Sequence, residues 1–168
     1  MLDIDCVINA SHHAARPPGP DAYPDVAEYL VSTDEGRKFI FWTSPTLIRE
    51  LCDLHESSTV EIAWLTTWQH QAQRHVSPAL GLPEFPVAAD SRGRFSDYHW
   101  KQQAAEEALQ LGRPIIWIDD TEITGEAQAA YRKSSVPYLL VSPDSTLGLT
   151  RVHMAEVMEF LALQAASN

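Results

Sequence analysis

Four aspartates, one threonine and one lysine are the residues of this chain whose types and spacing could do chemistry. They are Asp3, Asp5, Thr66, Lys101, Asp119 and Asp120. The aspartates and the threonine lie in or directly after predicted strands, and ligands of parallel α/β sheets bind beyond the carboxyl ends of the strands. Asp3 and Asp5 are two residues apart, so an extended backbone would point them to the same side.

Carboxylates that converge on one crevice repel one another and raise each other's pKa values. A divalent cation keeps such groups ionised, and Mg²⁺ suits a site that combines one or two carboxylates with a substrate phosphate. Lys101 is one of only three lysines, and it opens a predicted helix that leads into the strand before Asp119. The lysine could therefore reach the same crevice.

The elements that must position these residues alternate between apolar strands and helices, which predicts an α/β fold. Strands are predicted over residues 2–8, 60–65, 86–89, 114–118 and 136–141. Helices are predicted from Ser44-Pro45 onward, over 68–76 with an end near Ser77-Pro78, over 101–111 and 125–133, and from a cap at Thr150 to about residue 166. We expect a doubly wound, mostly parallel, five-stranded Rossmann-like sheet with helices on both faces. A loop over 10–24 and a β-hairpin over 29–42 are predicted to form a flap insertion over 10–43 in a single domain over 1–168.

The composition sets limits on the function. The chain has 168 residues, 45% of them hydrophobic, with 12 basic against 23 acidic side chains and a net charge of −11. That charge repels phosphate backbones, so long nucleic acids are not expected as partners. No apolar run reaches the length of about 20 residues that a membrane span needs. The start shows no secretory signal, so we expect a cytoplasmic protein with reduced cysteines.

The order of the motifs resembles the haloacid dehalogenase-like (HAD) phosphohydrolase superfamily. The four motifs are LDIDCVIN, EIAWLTT, Lys101 and IIWIDD, and they span residues 2–120 in the expected order. Together with SPTLIREL and GLTRVHMAEVMEFL, they look like a compact subgroup of HAD domains with a minimal cap, found in bacterial and phage proteins.

The resemblance implies a role for each candidate residue. Asp3 would be the nucleophile that takes the phosphoryl group, and Asp5 would protonate the leaving oxygen and then activate water. Thr66 and Lys101 would hold the phosphoryl oxygens. The implied Mg²⁺ ligands are Asp3, Asp5 with the backbone before it, Asp119 and Asp120.

The resulting hypothesis is a Mg²⁺-dependent phosphatase that works through a phosphoaspartate. Its expected partner is a phosphorylated substrate, which could be a nucleotide, a polynucleotide end or another small phosphate shielded by a homo-oligomer partner. Trp68 and Trp100 flank the candidate residues and could line a pocket.

Two alternatives remain open on the sequence. LDIDCVINA also resembles the opening of PIN-like metal-dependent ribonucleases, in which Thr66 and Lys101 would have no role. A catalytically silent HAD-fold binding module is the other alternative, because Cys6 stands where the family usually has glycine and only two residues precede Asp3.

Overall fold

Parallel pairing of two short apolar strands forms one of the two small sheets in a computed structural model, which describes residues 1–10, 19–89 and 99–167. Strand β3 (Ile115–Ile118) pairs in parallel with β4 (Tyr138–Val141), with Ile116 opposite Leu139. Both strands were predicted. Residues 11–18 of the predicted loop and residues 90–98 lie outside the described parts of the chain.

Three further segments join this pair through single-residue bridges. Leu2 bridges in parallel to Ile118 on one side and to Trp64 on the other, and Trp64 bridges in parallel to Val87. The described residues therefore form a mixed α/β fold, but the predicted five-stranded parallel sheet is not shown, since these three segments are not continuous strands. One physical reason lies next to Val87, where Pro86 has no backbone N–H with which to extend a ladder.

The predicted strand over residues 2–8 is wrong beyond its first residues. The amides of residues 7–9 all donate to the carbonyl of Ile4, so the chain folds into a tight turn after Asp5. Cys6 has a φ of 58°, in the left-handed region that favours glycine. Val7 and Ile8 are buried in the core from this turn rather than from a strand.

The predicted β-hairpin is confirmed. Strands β1 (Ala27–Ser32) and β2 (Lys38–Thr43) pair antiparallel, with Val31 opposite Phe39 and Tyr29 opposite Phe41. Because side chains alternate along a strand, Phe39 and Phe41 lie on the same face of the hairpin. That face packs against the rest of the protein, and Phe41 and Val31 are buried there.

Four of the predicted helices are present near their expected bounds. They are α1 (Pro45–Glu56), α3 (Trp100–Leu109), α4 (Gly125–Tyr131) and α5 (Arg151–Ala166). The Ser44 side chain caps α1 by accepting hydrogen bonds from the Thr46 and Leu47 amides, and Thr150 caps α5. Among the described residues, no helix combines the length and apolar character needed to cross a membrane.

The predicted helix over residues 68–76 is wrong in its bounds. Gln69 has a φ of 51°, which a continuous right-handed helix cannot include. A π-helical segment (Ala72–Val76) follows and continues into the short helix α2 (Ser77–Leu80). Pro78 therefore lies in the first turn of a helix, where its missing N–H is not needed, and does not end one.

Gly148 holds the turn of residues 4–9 in place from the loop before α5. Its φ is 67°, and a Cβ atom there would lie 2.6 Å from the carbonyl oxygen of Val7. The same oxygen accepts a hydrogen bond of 2.8 Å from the amide of Leu149. A side chain at residue 148 would thus push on the turn that follows Asp3 and Asp5.

Gly148→Ala should lower the free energy of unfolding by about 2–4 kcal/mol, because it combines left-handed strain with a steric clash. Gly36→Ala is the matched control, since Gly36 has a φ of 73° and open space around its Cβ position. Gly36→Ala should lower the free energy of unfolding by only about 1 kcal/mol. Urea unfolding of both variants measures the difference, and equal losses would contradict this account of the turn.

Candidate active site

A buried lysine between two buried aspartates forms the centre of the site. Lys101 Nζ lies 2.5 Å from Asp3 Oδ2 and 2.8 Å from Asp119 Oδ2. Only 5% of Lys101 is exposed, because it lies on the face of α3 that also buries Ala104 and Ala105. Residues three and four positions apart share a helix face, so the face that packs these alanines against the core also places Lys101 toward the core.

Backbone hydrogen bonds on both sides fix the position of Asp3. The Asp3 amide donates to the carbonyl of Ile118 over 3.1 Å, and the carbonyl of Leu2 accepts from the amide of Leu65 over 2.9 Å. The Asp3 carboxylate also accepts a hydrogen bond of 2.8 Å at Oδ1 from the amide of Ile4. Oδ2 is left to pair with the lysine.

Asp119 is fixed in a similar way at the end of β3. Its amide donates to the carbonyl of Val141, so the β3–β4 pairing continues to this residue. Its Oδ1 atom accepts from the amides of Thr121 at 3.0 Å and Glu122 at 2.8 Å. Because Oδ2 binds Lys101, both carboxylate oxygens of Asp119 have partners within the protein.

Asp120 completes an acidic cluster that could bind a cation. Asp3, Asp119 and Asp120 each offer a carboxylate oxygen, and these atoms all lie within 4.8 Å of one another. Three carboxylates face the single ammonium of Lys101, so two negative charges are uncompensated when all are ionised. A hard oxygen set with excess negative charge fits Mg²⁺.

Burial and mutual charge control the protonation of the cluster. Burial raises the pKa of Asp3 to about 6, with a further contribution from Asp119 and against the opposing effect of Lys101. Burial alone would lower the pKa of Lys101, but the charges of Asp3 and Asp119 outweigh it and raise that pKa. Burial, and then the neighbouring Asp119 charge, raises the pKa of Asp120.

Asp5 lies beside this cluster and has its own partners. Its Oδ1 atom accepts a hydrogen bond of 3.2 Å from Asn9 Nδ2, and its Oδ2 atom accepts one of 2.9 Å from Trp68 Nε1. The charge of Asp5 is among those that raise the pKa of Asp120, so it acts on the same site. Its oxygens are not in the group of three that could share a metal ion.

Thr66 is buried next to Trp68. Its hydroxyl oxygen accepts a hydrogen bond of 3.3 Å from the Trp68 amide, and its carbonyl accepts from Gln69. Of the six residues singled out in the sequence, the structure therefore brings Asp3, Lys101, Asp119 and Asp120 together directly. Asp5 and Thr66 are connected to each other through Trp68.

Asn9 was not predicted from the sequence as a site residue, and Trp68 was predicted only as a residue that could line a pocket. Asn9 is buried, donates to Asp5, and accepts a hydrogen bond of 3.0 Å at its Oδ1 atom from the Trp42 amide. The sequence feature that could have indicated its role is the position of a polar residue, Asn9, at the end of the apolar run after Asp5. The assignment of that run to a strand concealed the turn that brings Asn9 back to Asp5.

The α/β core and the buried lysine between Asp3 and Asp119 fit a HAD-like domain. The family model of the HAD domain in Swiss Army Knife RNA repair proteins matches residues 1–154 of the chain. The protein belongs to this family, and the membership predicted from the four motifs is confirmed. No curated protein and no solved structure matches the chain significantly.

Asp3→Asn should change the pH dependence of stability in metal-free buffer. Burial raises the pKa of Asp3 to about 6 in the folded protein, above its ordinary value of 3.8, so the folded state binds this proton more tightly than the unfolded chain does. As the pH rises between these two pKa values, the free energy of unfolding of the wild-type protein should therefore fall by about 2–3 kcal/mol because of Asp3. This fall should be absent in Asp3→Asn.

Urea unfolding between about pH 4 and pH 7 measures the effect. Relative to wild type, Asp3→Asn should gain stability as the pH rises through the window. Asp53→Asn, at an exposed position on α1, is the control and should run parallel to wild type. Parallel curves for all three proteins would show that Asp3 titrates alike in the folded and unfolded states.

Proposed function

We propose that the protein is a Mg²⁺-dependent phosphohydrolase that removes a terminal phosphate from an RNA strand, through a phosphoaspartate on Asp3. The observation that carries the proposal is the buried Lys101 ammonium between Asp3 and Asp119. It places a positive charge beside a carboxylate that backbone hydrogen bonds hold in one position. Membership of a family of HAD domains that occur in RNA repair proteins supports an RNA end as the substrate.

In the first step, a carboxylate oxygen of Asp3 bonds to phosphorus while the bond from phosphorus to the leaving oxygen breaks. Phosphoryl transfer depends mainly on positioning and on the stabilisation of negative charge. An ammonium has three N–H donors, of which two are directed at Asp3 and Asp119. The third can be directed at a phosphoryl oxygen, and the Thr66 hydroxyl would hold another.

Asp5 moves the protons. In its neutral form it gives a proton to the leaving oxygen as the RNA hydroxyl departs, which leaves a carboxylate. That carboxylate then takes a proton from a water molecule as the water oxygen attacks the phosphorus of the phosphoaspartate. The bond from Asp3 to phosphorus breaks, inorganic phosphate is released, and both aspartates return to their starting states.

Asp3, Asp119 and Asp120 would hold the Mg²⁺ ion, together with the backbone before Asp5. When bound, the ion supplies the positive charge that offsets the negative charge of the cluster and the incoming phosphate. Asp120 is the more accessible ligand of the Asp119–Asp120 pair, because Asp119 is fully buried whereas Asp120 is partly exposed.

The insertion between Asp5 and α1 supports a chain end rather than an internal phosphate as the substrate. Its described part contains the β1–β2 hairpin as its regular structure. An insertion of this length has room for a loop and a hairpin but not for a large cap, so the site would admit the end of a large molecule, whereas the net charge of −11 disfavours contact along a longer strand. The single-domain organisation over 1–168, the cytoplasmic location and any homo-oligomer remain predictions.

Two features support this proposal over the alternatives. Lys101 would have no role in a PIN-like ribonuclease site built on acids and metal, yet it is the central residue of the cluster. Cys6 adopts the left-handed conformation that the family's usual glycine favours, so its substitution leaves the turn after Asp5 formed. This supports an active enzyme over a catalytically silent module.

Lys101→Ala should reduce phosphate release by about 10²–10³-fold, because it removes the fixed positive charge beside the reacting phosphate. Lys101→Arg should restore little activity, since the larger guanidinium has its donors fixed in a planar fork. The assay compares RNA oligonucleotides with a 3′ or a 5′ terminal phosphate and nucleoside monophosphates, with and without Mg²⁺.

Lys133→Ala is the matched control, because Lys133 is exposed just beyond α4. It should release phosphate at the wild-type rate. Internal cleavage of the RNA without phosphate release, unchanged by Lys101→Ala, would overturn the proposal in favour of the PIN-like ribonuclease. An absence of phosphate release from every substrate in wild type would favour the silent module.

Mg²⁺ should raise the thermal unfolding temperature of the wild-type protein. A ligand that binds only the folded state adds about 2.7 kcal/mol of stability at a concentration of 100 times its Kd. Asp120→Asn should remove most of this Mg²⁺-dependent shift, while Asp53→Asn should keep it. Equal shifts for both variants, measured by differential scanning calorimetry, would place the cation elsewhere.

A further inference from the structure

We propose that Trp68 is a positioning residue that fixes the Asp5 carboxyl group against the leaving oxygen of the substrate. This inference rests on the proposed phosphohydrolase function. Its central observation is the hydrogen bond of 2.9 Å from Trp68 Nε1 to Asp5 Oδ2, between residues 63 positions apart in the chain. An indole N–H is a donor only, so it can hold the carboxyl group but cannot take its proton.

Two aromatic rings from the hairpin hold the Trp68 ring in place. Phe39 and Phe41 meet it edge to face, with ring centroids 4.9 Å and 5.4 Å away and interplanar angles of 73° and 79°. Such edge-to-face pairs contribute about 0.5–1.5 kcal/mol each beyond simple burial. The Trp68 amide also donates to the Thr66 hydroxyl, so both ring and backbone are anchored.

Strand β2 supports Asp5 by a second route. The amide of Trp42 donates to Asn9 Oδ1, and Asn9 Nδ2 donates to Asp5 Oδ1. Each carboxyl oxygen of Asp5 thus has its own donor, and two donors on two atoms fix the plane of the group. Each oxygen retains a second lone pair that can carry the catalytic proton.

The consequence concerns the leaving group. As phosphorus bonds to Asp3, the departing oxygen gains negative charge, and Asp5 neutralises it by giving up its proton. An alkoxide such as a ribose oxygen needs that proton far more than a weakly basic phenolate does. A loss of Asp5 alignment should therefore slow hydrolysis of alkyl phosphates selectively. A general loss of folding would slow both classes alike.

The test compares kcat/KM of wild type and Trp68→Phe on a nucleoside 5′-monophosphate and on 4-nitrophenyl phosphate. This parameter covers the steps up to the departure of the leaving group. Correctly placed general acids contribute about 10²–10⁴-fold, so we expect a loss of about 10–100-fold on the nucleotide and less than about threefold on the aryl ester. Equal losses on both substrates in a folded variant would overturn the inference.

Trp64→Phe is the matched control, because it also removes an indole hydrogen bond, in this case one of 3.3 Å to Ser77 Oγ. It should leave the ratio of the two kcat/KM values unchanged. In an Asp5→Asn background, Trp68→Phe should not alter that ratio further, since the residue acts through Asp5. A further change there would also contradict the inference.

Phe39→Ala provides a second variant should Trp68→Phe fail to fold, because Phe39 is 36% exposed and its truncation disturbs the core little. It should reduce the nucleotide-to-aryl ratio by about twofold or more through a loosened Trp68, and an unchanged ratio would overturn the inference. Wild type that releases phosphate neither from these two substrates nor from terminally phosphorylated RNA would instead contradict the proposed function itself. The two failures are therefore distinguishable.

Discussion

Burial of the Lys101 ammonium between two carboxylates is the constraint on which the rest of this structure depends. Charges removed from water must be paired and hydrogen-bonded, and loss of one partner leaves an uncompensated charge that costs about 3–5 kcal/mol. The segment at Asp3, the end of β3 at Asp119 and the first turn of α3 must therefore meet at one point. These elements are far apart in sequence, so their convergence fixes much of the topology around the site.

The same constraint connects structure with chemistry. The cluster stays net negative after Lys101 is counted, which favours a bound cation, while the lysine keeps a positive charge at the place where a phosphate would arrive. A second and largely uncharged network holds Asp5 from the hairpin side through Trp68 and Asn9. The proposed nucleophile, Asp3, and the proposed proton donor, Asp5, are thus held by different parts of the fold.

The sequence predicted the features that depend on local signals. Ser44 and Thr150 mark helix starts because their side chains cap the first free amides, and β3 stands out as an apolar run ended by acids. The ordered motifs placed Lys101 at the site, although a single lysine on a helix is usually solvated. Its burial follows from the packing of α3, which is a property of the whole fold.

The features that were predicted wrongly, or not at all, depend on contacts between distant residues or on unusual backbone conformations. Apolar residues after Asp5 are compatible with either a strand or a buried turn, and periodicity alone does not separate these over so few residues. Cys6 and Gln69 adopt left-handed conformations that change the direction of the chain. Neither cysteine nor glutamine is a residue type that predicts a turn. The contact of Trp68 with Asp5 joins two distant segments, so no spacing rule could reveal it.

Chemical trapping of the covalent intermediate tests the central claim most directly. Borohydride reduces an aspartyl phosphate to homoserine, so wild-type protein quenched during turnover and mapped by peptide mass spectrometry reports which carboxylate carried the phosphoryl group. We predict homoserine at position 3 alone, formed only when phosphorylated substrate is present. Conversion at position 5, 119 or 120, or phosphate release with no conversion at position 3, would contradict it.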